Sequence, residues 1–345
     1  MKYIPLLFIV ILVGCSGGSD SEGGKRLAIS DINFISEEVK NCINIEASAE
    51  DLVYADELTE FTCYANSYNS TSSDSTEDLL LFPNIMTVEL SHLESGFIDS
   101  SHFAKISSFS LSSSSIEQVN IDELVNLQEL FLSQNNNLKN INLTYNTKLK
   151  NIYINDNPLE ALNIETLTEL EKLQLLNFED VQVSPTRANV PGIVRLTWGD
   201  ITHINFDNNL KLRELTVIGN LLTNLSLANH SALTVVEVTD SKLQSVEFDL
   251  PALEKLNLSN NSLSIIDLSY APNLTELTLS KNNLMNIDLS YSINLTELNL
   301  LKNNMKSIDL SNNLKLNYAN LVENPLSEET RSYLEAIDWI DMLEF

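Results

Sequence analysis

Residues 253–315 read LEKLNLSNNSLSIIDLSYAPN, LTELTLSKNNLMNIDLSYSIN and LTELNLLKNNMKSIDLSNNLK. Leu253, Leu274 and Leu295 open the three lines and lie 21 residues apart. A fixed period of that size outranks any local choice between helix and strand, because it marks a unit that is stacked rather than one that folds alone. Within the unit from Leu274, apolar residues fall at Leu274, Leu277, Leu279, Leu284, Ile287 and Leu289. Leu277-Thr278-Leu279 alternates as a half-buried strand does. One unit cannot enclose a core, but stacked units bury their leucines against one another at a rise of about 4.8 Å per coil. Asn282, matched by Asn261 and Asn303, is the polar member of the frame. A buried amide both donates and accepts, so it suits the point where the chain turns inward after the strand.

The pattern LxxLxLxxNxL, followed by LxxIDLS, resembles the leucine-rich repeat family, in a bacterial form with a short extended segment on the outer side. The resemblance spans residues 58–326. It implies an α/β solenoid: a leucine-rich repeat horseshoe with a parallel sheet on its concave face.

Working outward, further coils begin near Ile85, Ile106, Leu127, Leu149 and Leu170, then at Leu212, Leu233, Leu253, Leu274, Leu295 and Leu316. Ser114 takes the place of the ladder asparagine in an early coil, and Asn135 and Asn157 restore it. Between Leu170 and Leu212 the period is uneven. Counting places a coil at Ile193, in an interval with Pro185 and Pro191, and such a break bends a stack or extrudes a loop. Three of the five arginines, Arg187, Arg195 and Arg213, cluster there.

The ends differ from the repeats. In residues 27–57, Ser36 with Glu37 and Glu38 suits a helix start, and Val39, Cys42 and Ile43 share a face. Cys42 and Cys63 form an even pair in an exported chain, so a disulfide is expected to pin this N-terminal cap to the first coil. Residues 66–78 read as a polar bulge. In residues 327–345, Ser327, Glu328 and Glu329 suit a helix N-terminus, and Tyr333, Leu334, Ile337 and Ile340 recur at helical spacing. A C-terminal capping helix follows, covering the last apolar face.

Residues 1–14 carry one lysine and a short apolar run, which reads as a signal peptide because about 20 residues are needed to cross a bilayer. Leu12-Val13-Gly14-Cys15 resembles a bacterial lipobox, which implies a lipidated Cys15. Residues 15–26 then form a flexible tether, and Ser16 after the cysteine implies the outer membrane in enteric-type bacteria.

The formal charge of −28 repels nucleic acid and anionic lipid headgroups and favours cationic partners, or serves solubility alone. No phosphate-binding glycine loop occurs, and no cofactor is expected. His92, His102, His203 and His230 are scattered and read as isolated surface residues. Asp267, Asp288 and Asp309 form one column, with too few ligands per ion for a calcium site. No acid–base or nucleophile constellation stands out, so the chain reads as a non-enzyme and no metal site is assigned.

In the family, recognition uses side chains between the strand leucines. Carried onto this sequence, most are small or polar: Ser108, Ser110, Thr216, Thr278 and Asn299. Phe131 and Tyr153 occupy equivalent outward places in adjacent coils, and Lys172 and Arg195 a second column in the next two. These four are the candidate ligand-binding residues. Equally, the aromatics pack as cross-strand neighbours while Lys172 and Arg195 pair with Glu171 and Glu214. The expected function is a lipid-anchored scaffold for a protein or glycan ligand, in adhesion or cell contact. The alternative is a periplasm-facing structural component without an external ligand.

Overall fold

The computed structural model describes residues 26–64, 78–92, 98–99, 103, 105–177 and 199–345. Their architecture is a right-through stack of coils. Each contributes one strand to a single parallel sheet of thirteen strands, which runs in chain order from Glu60–Tyr64 to Met342–Glu344. Two small two-stranded sheets lie apart from it. Ile98–Asp99 pairs with Val119–Asn120, and Asn224–Leu227 with Ser245–Phe248.

The register follows from the leucine frame. Leu256, Leu277 and Leu298 are neighbours in successive strands, and all three are buried. In Glu129–Ser133, Leu130 and Leu132 point into the core, while Glu129, Phe131 and Ser133 are half-buried on the other face. A parallel sheet built this way has no hairpins, so each coil must carry the chain back around the core before the next strand begins.

The return is built from amides. Asn282 donates to the carbonyls of Leu258 (2.9 Å) and Leu279 (3.1 Å), and its Oδ1 accepts from the N–H of Leu263 (3.0 Å). Asn303 and Asn324 repeat this one and two coils on. Asn135 and Asn157 do the same work earlier, reaching the carbonyls of Leu111 and Leu132. The residue before the amide is bent into the left-handed region, as at Gln134 (φ 56°), Lys281 (φ 54°) and Lys302 (φ 57°). For a non-glycine residue that costs about 1–2 kcal/mol, so the turn is held by the hydrogen bonds that follow it rather than by local preference.

A second buried position, three residues before the leucine that opens each coil, is not evident from the sequence pattern. Asn146, Asn209 and Asn313 occupy it, and each donates to two carbonyls of the preceding coil. His230 stands in the same place and is only 1% exposed, contrary to the expectation of a surface residue. Its ring nitrogens face the carbonyl oxygens of Ala228 (2.9 Å) and Phe206 (3.1 Å). His92 and His203 are exposed, and His102 lies outside the described residues.

The uneven middle resolves differently from the count. Lys172–Leu176 pairs directly with Glu214–Ile218, with Lys172 opposite Glu214 and Leu173 opposite Leu215. No strand of the main sheet lies between them, and the coil expected at Ile193 falls outside the described residues. Residues 178–198, with Pro185, Arg187, Pro191 and Arg195, lie outside the described residues. The join is tight. A Cβ on Gly219 (φ 67°) would lie 1.8 Å from the Asn177 carbonyl oxygen, so only glycine fits there.

Both ends are capped. Helix α1 (Glu37–Ala49) starts at Ser36, whose hydroxyl accepts from the N–H of Val39. Asp78, expected in a polar bulge, is instead buried, and its carboxylate accepts from the N–H groups of Ile35 and Ser36. Val39 and Ile43 close over the first coil, and Cys42 is joined to Cys63 by a disulfide. At the far end α2 (Glu328–Glu335) is shorter than the apolar spacing suggests. Strand Tyr318–Asn320 would otherwise leave a row of backbone groups unpaired, and Met342–Glu344 fills it as the last strand.

Candidate functional site

The outward face of the main sheet is a grid, with three outward residues on each five-residue strand and two on each three-residue strand. Several of its polar members are occupied by a neighbour. Asn151 donates to Glu129 (3.1 Å), Asn257 donates to Glu237 (2.8 Å), and Lys255 pairs with Glu276 (2.6 Å). The hydrogen bond that Lys255 donates to Glu276 raises the lysine's pKa, and that from Lys172 to Glu214 does the same for Lys172.

Phe131 and Tyr153 are the exception. They are register neighbours, and their rings stack with centroids 4.7 Å apart and planes within 1° of parallel. Both are half-buried, and the strand on the Phe131 side, Ser108–Ser112, presents only serines outward. The result is an aromatic ridge standing beside a low polar floor. On its other side the Lys172 ammonium lies 5.8 Å from the Tyr153 ring centroid. The aromatic residues therefore do pack together, and both rings stay partly exposed.

The basic column fails. The register neighbour of Lys172 is Glu214, with which it forms an ion pair, and Arg195 lies outside the described residues. The cause is that Lys172–Leu176 and Glu214–Ile218 are adjacent strands, so the neighbour of Lys172 comes from the coil at Leu212. Ser108, Ser110, Thr216, Thr278 and Asn299 do lie on the outward face. Cys15 also lies outside the described residues.

The aspartate column is exposed, and each carboxylate is engaged in its own turn. Asp267, Asp288 and Asp309 accept from the N–H groups of Ser269, Ser290 and Ser311, each at 2.9 Å. Hydrogen bonds from these serines hold all three carboxyls below the usual carboxylate range. Among the described residues, no group of three His, Cys, Asp or Glu side chains is placed to hold a metal ion.

No family model and no curated protein sequence matches the chain. Solved structures do. An internalin (inlF) from Listeria monocytogenes aligns over 86% of this chain and 98% of its own, with 22% identity and a TM-score of 0.50. The leucine-rich repeat domain of APL1B aligns over 77% and 76%, with 19% identity and a TM-score of 0.59. The fold is a leucine-rich repeat solenoid. A plant peptide hormone receptor, RGFR1, solved in complex with RGF2, shares it over 72% of this chain and 41% of its own, with 20% identity and a TM-score of 0.53. The aromatic ridge sits on the outward face of the fourth and fifth strands of the main sheet, nearer the first cap, between Ser108–Ser112 and Lys172–Leu176.

Proposed function

We propose that this protein is a non-enzymatic binding scaffold that takes a protein or peptide ligand on the outward face of its main sheet, anchored by the Phe131–Tyr153 ridge. The observation that carries the proposal is the contrast on that face. Several of its polar side chains are paired with one another, while the stacked rings offer apolar area beside a strand that presents only serines. Aromatic side chains bury a large area at little entropic cost, and such residues dominate interface energies. Structures of this fold include a receptor in complex with its peptide hormone, which supports a protein or peptide over other ligands. The net charge of −28 favours a basic partner and a salt-sensitive on-rate.

The test is capture of the partner with the chain from residue 27 onward, followed by titration. Phe131→Ala combined with Tyr153→Ala should weaken binding by roughly 30-fold or more, as loss of a hot spot does. Both rings are only half-buried, so the midpoint of thermal unfolding should move little. Unchanged affinity in the double variant would exclude the ridge as the anchor. Residues 1–25 are proposed to deliver the scaffold to a bacterial envelope as a lipoprotein acylated at Cys15. Mass spectrometry of the mature N-terminus decides this: a diacyl- or triacyl-cysteine is expected, and an unmodified residue would refute it.

A further inference from the structure

The strands on the Phe131 side make the aromatic ridge one wall of a slot. Phe131 gives one ring face to Tyr153, with the two planes within 1° of parallel. Its other face is turned toward the strand Ser108–Ser112, where its register neighbour Ser110 is too short to cover a ring. One strand further, Glu89 stands opposite Ser110. Phe131, Ser110 and Glu89 thus lie in one row across three strands. The ring and the carboxylate rise on either side of a hydroxyl floor, two strand spacings or about 10 Å apart. All three residues are half-buried, so each keeps surface that a ligand can touch.

The acidic wall lacks a counter-charge. Glu129, Glu237 and Glu276 on the same face accept from Asn151, Asn257 and Lys255, whereas the Glu89 carboxylate has no hydrogen bond or ion pair among the described residues. More negative charge stands close by. Burial, and then the charges of Glu60, Glu50 and Glu89, push the Glu46 carboxyl of α1 up. An anion is therefore repelled from the slot. An apolar side chain would cover the ring but strip water from Glu89 without giving it a donor. A lysine ammonium would meet the charge, but it is compact and strongly hydrated and covers little of a ring. A guanidinium is planar and weakly hydrated, stacks on an aromatic face and offers a carboxylate a fork of donors. We infer that the slot between Phe131 and Glu89 receives an arginine side chain of the protein ligand, its guanidinium flat on the ring and its N–H groups donating to Glu89 and the Ser110 hydroxyl. This rests on the proposed binding role of the ridge and names the side chain that the partner brings to it.

The probe is a blocked pentapeptide, Gly-Ser-Arg-Ser-Gly, titrated into the 15N-labelled protein, with affinity read from the backbone amide shifts of strands Ser108–Ser112 and Glu129–Ser133. Two peptides serve as comparisons, one with lysine at the centre and one with citrulline, which keeps the shape of arginine without its charge. The arginine peptide should bind about fivefold more tightly than the lysine peptide and about tenfold more tightly than the citrulline peptide. Glu89→Gln should weaken its binding about tenfold and leave the unfolding midpoint no lower, since it relieves repulsion with Glu46. Ser110→Phe, which fills the slot with a third ring, should abolish binding. No shift at these amides, equal binding of either comparison peptide, or undiminished binding by Glu89→Gln or Ser110→Phe would overturn the assignment. A captured partner whose affinity falls in the Phe131→Ala, Tyr153→Ala variant but holds in Glu89→Gln would keep the ridge as the anchor and remove the arginine from it.

Discussion

Asn282→Leu should cost the protein about 3–5 kcal/mol, because it strips four hydrogen bonds from backbone groups that have nowhere else to turn. The amide donates to the carbonyls of Leu258, Leu279 and Ser280 and accepts from the N–H of Leu263. Leucine has nearly the same volume, so the loss is one of polar satisfaction and not of packing. Each buried group left unpaired costs about 1–3 kcal/mol, and the left-handed turn at Lys281 loses the bonds that hold it. The nearby exposed Met285 is the control, since Met285→Ala should change stability by less than about 0.5 kcal/mol. Urea unfolding measures both. In a stack of coils the damage should also appear locally, as faster amide exchange in strands Lys255–Asn257, Glu276–Thr278 and Glu297–Asn299 before the rest. Equal stability of the two variants would mean that the ladder does not hold the coils.

The second large effect is expected at the first cap. Cys42 and Cys63 are 21 residues apart, and closing a loop of that length stabilises by about 3 kcal/mol. Replacing both with serine should lower the stability by that amount and loosen α1 from the first strand. Phe61, Val39 and Ile43, all buried at this junction, would then meet water. The strand Glu60–Tyr64 ends the sheet, so its uncovered edge should also make the variant prone to association. Thermal unfolding of the oxidised and reduced protein, with light scattering, reads both consequences. Identical midpoints would show that α1 is held by packing and by Asp78 alone.

What the sequence reveals and what it conceals have the same origin. The leucines repeat because every coil must bury the same inward positions, so the strands, their direction and the aromatic pair at Phe131 and Tyr153 follow from counting. The count fails between Leu170 and Leu212, which lie 42 residues apart. That is two repeat lengths, so the phase on either side is undisturbed, and counting alone places a further strand between two that are neighbours in the sheet. The column joining Lys172 to Arg195 was lost with it. The second buried polar position escaped for a different reason. Leu124, Asn146, Leu167, Asn209, His230, Ala271, Ser292 and Asn313 share burial and little else, and a position defined only by enclosure leaves no residue signature. Asp78 was hidden because its partners, Ile35 and Ser36, lie more than 40 residues away in the chain.

Unbroken stacking through the middle of the solenoid is tested most directly by a cross-link between Gln174→Cys and Thr216→Cys. These positions face each other in adjacent parallel strands and point away from the core. Strand neighbours lie about 4.8 Å apart, within reach of a disulfide, and a strand between them would double the separation and put it beyond reach. Mild oxidation followed by peptide mapping without reductant should recover the 174–216 linkage in high yield from the folded protein. Absence of that linkage, together with formation of one between Gln174→Cys and a cysteine placed at Arg195, would show that another coil intervenes and that the sheet is not continuous as described.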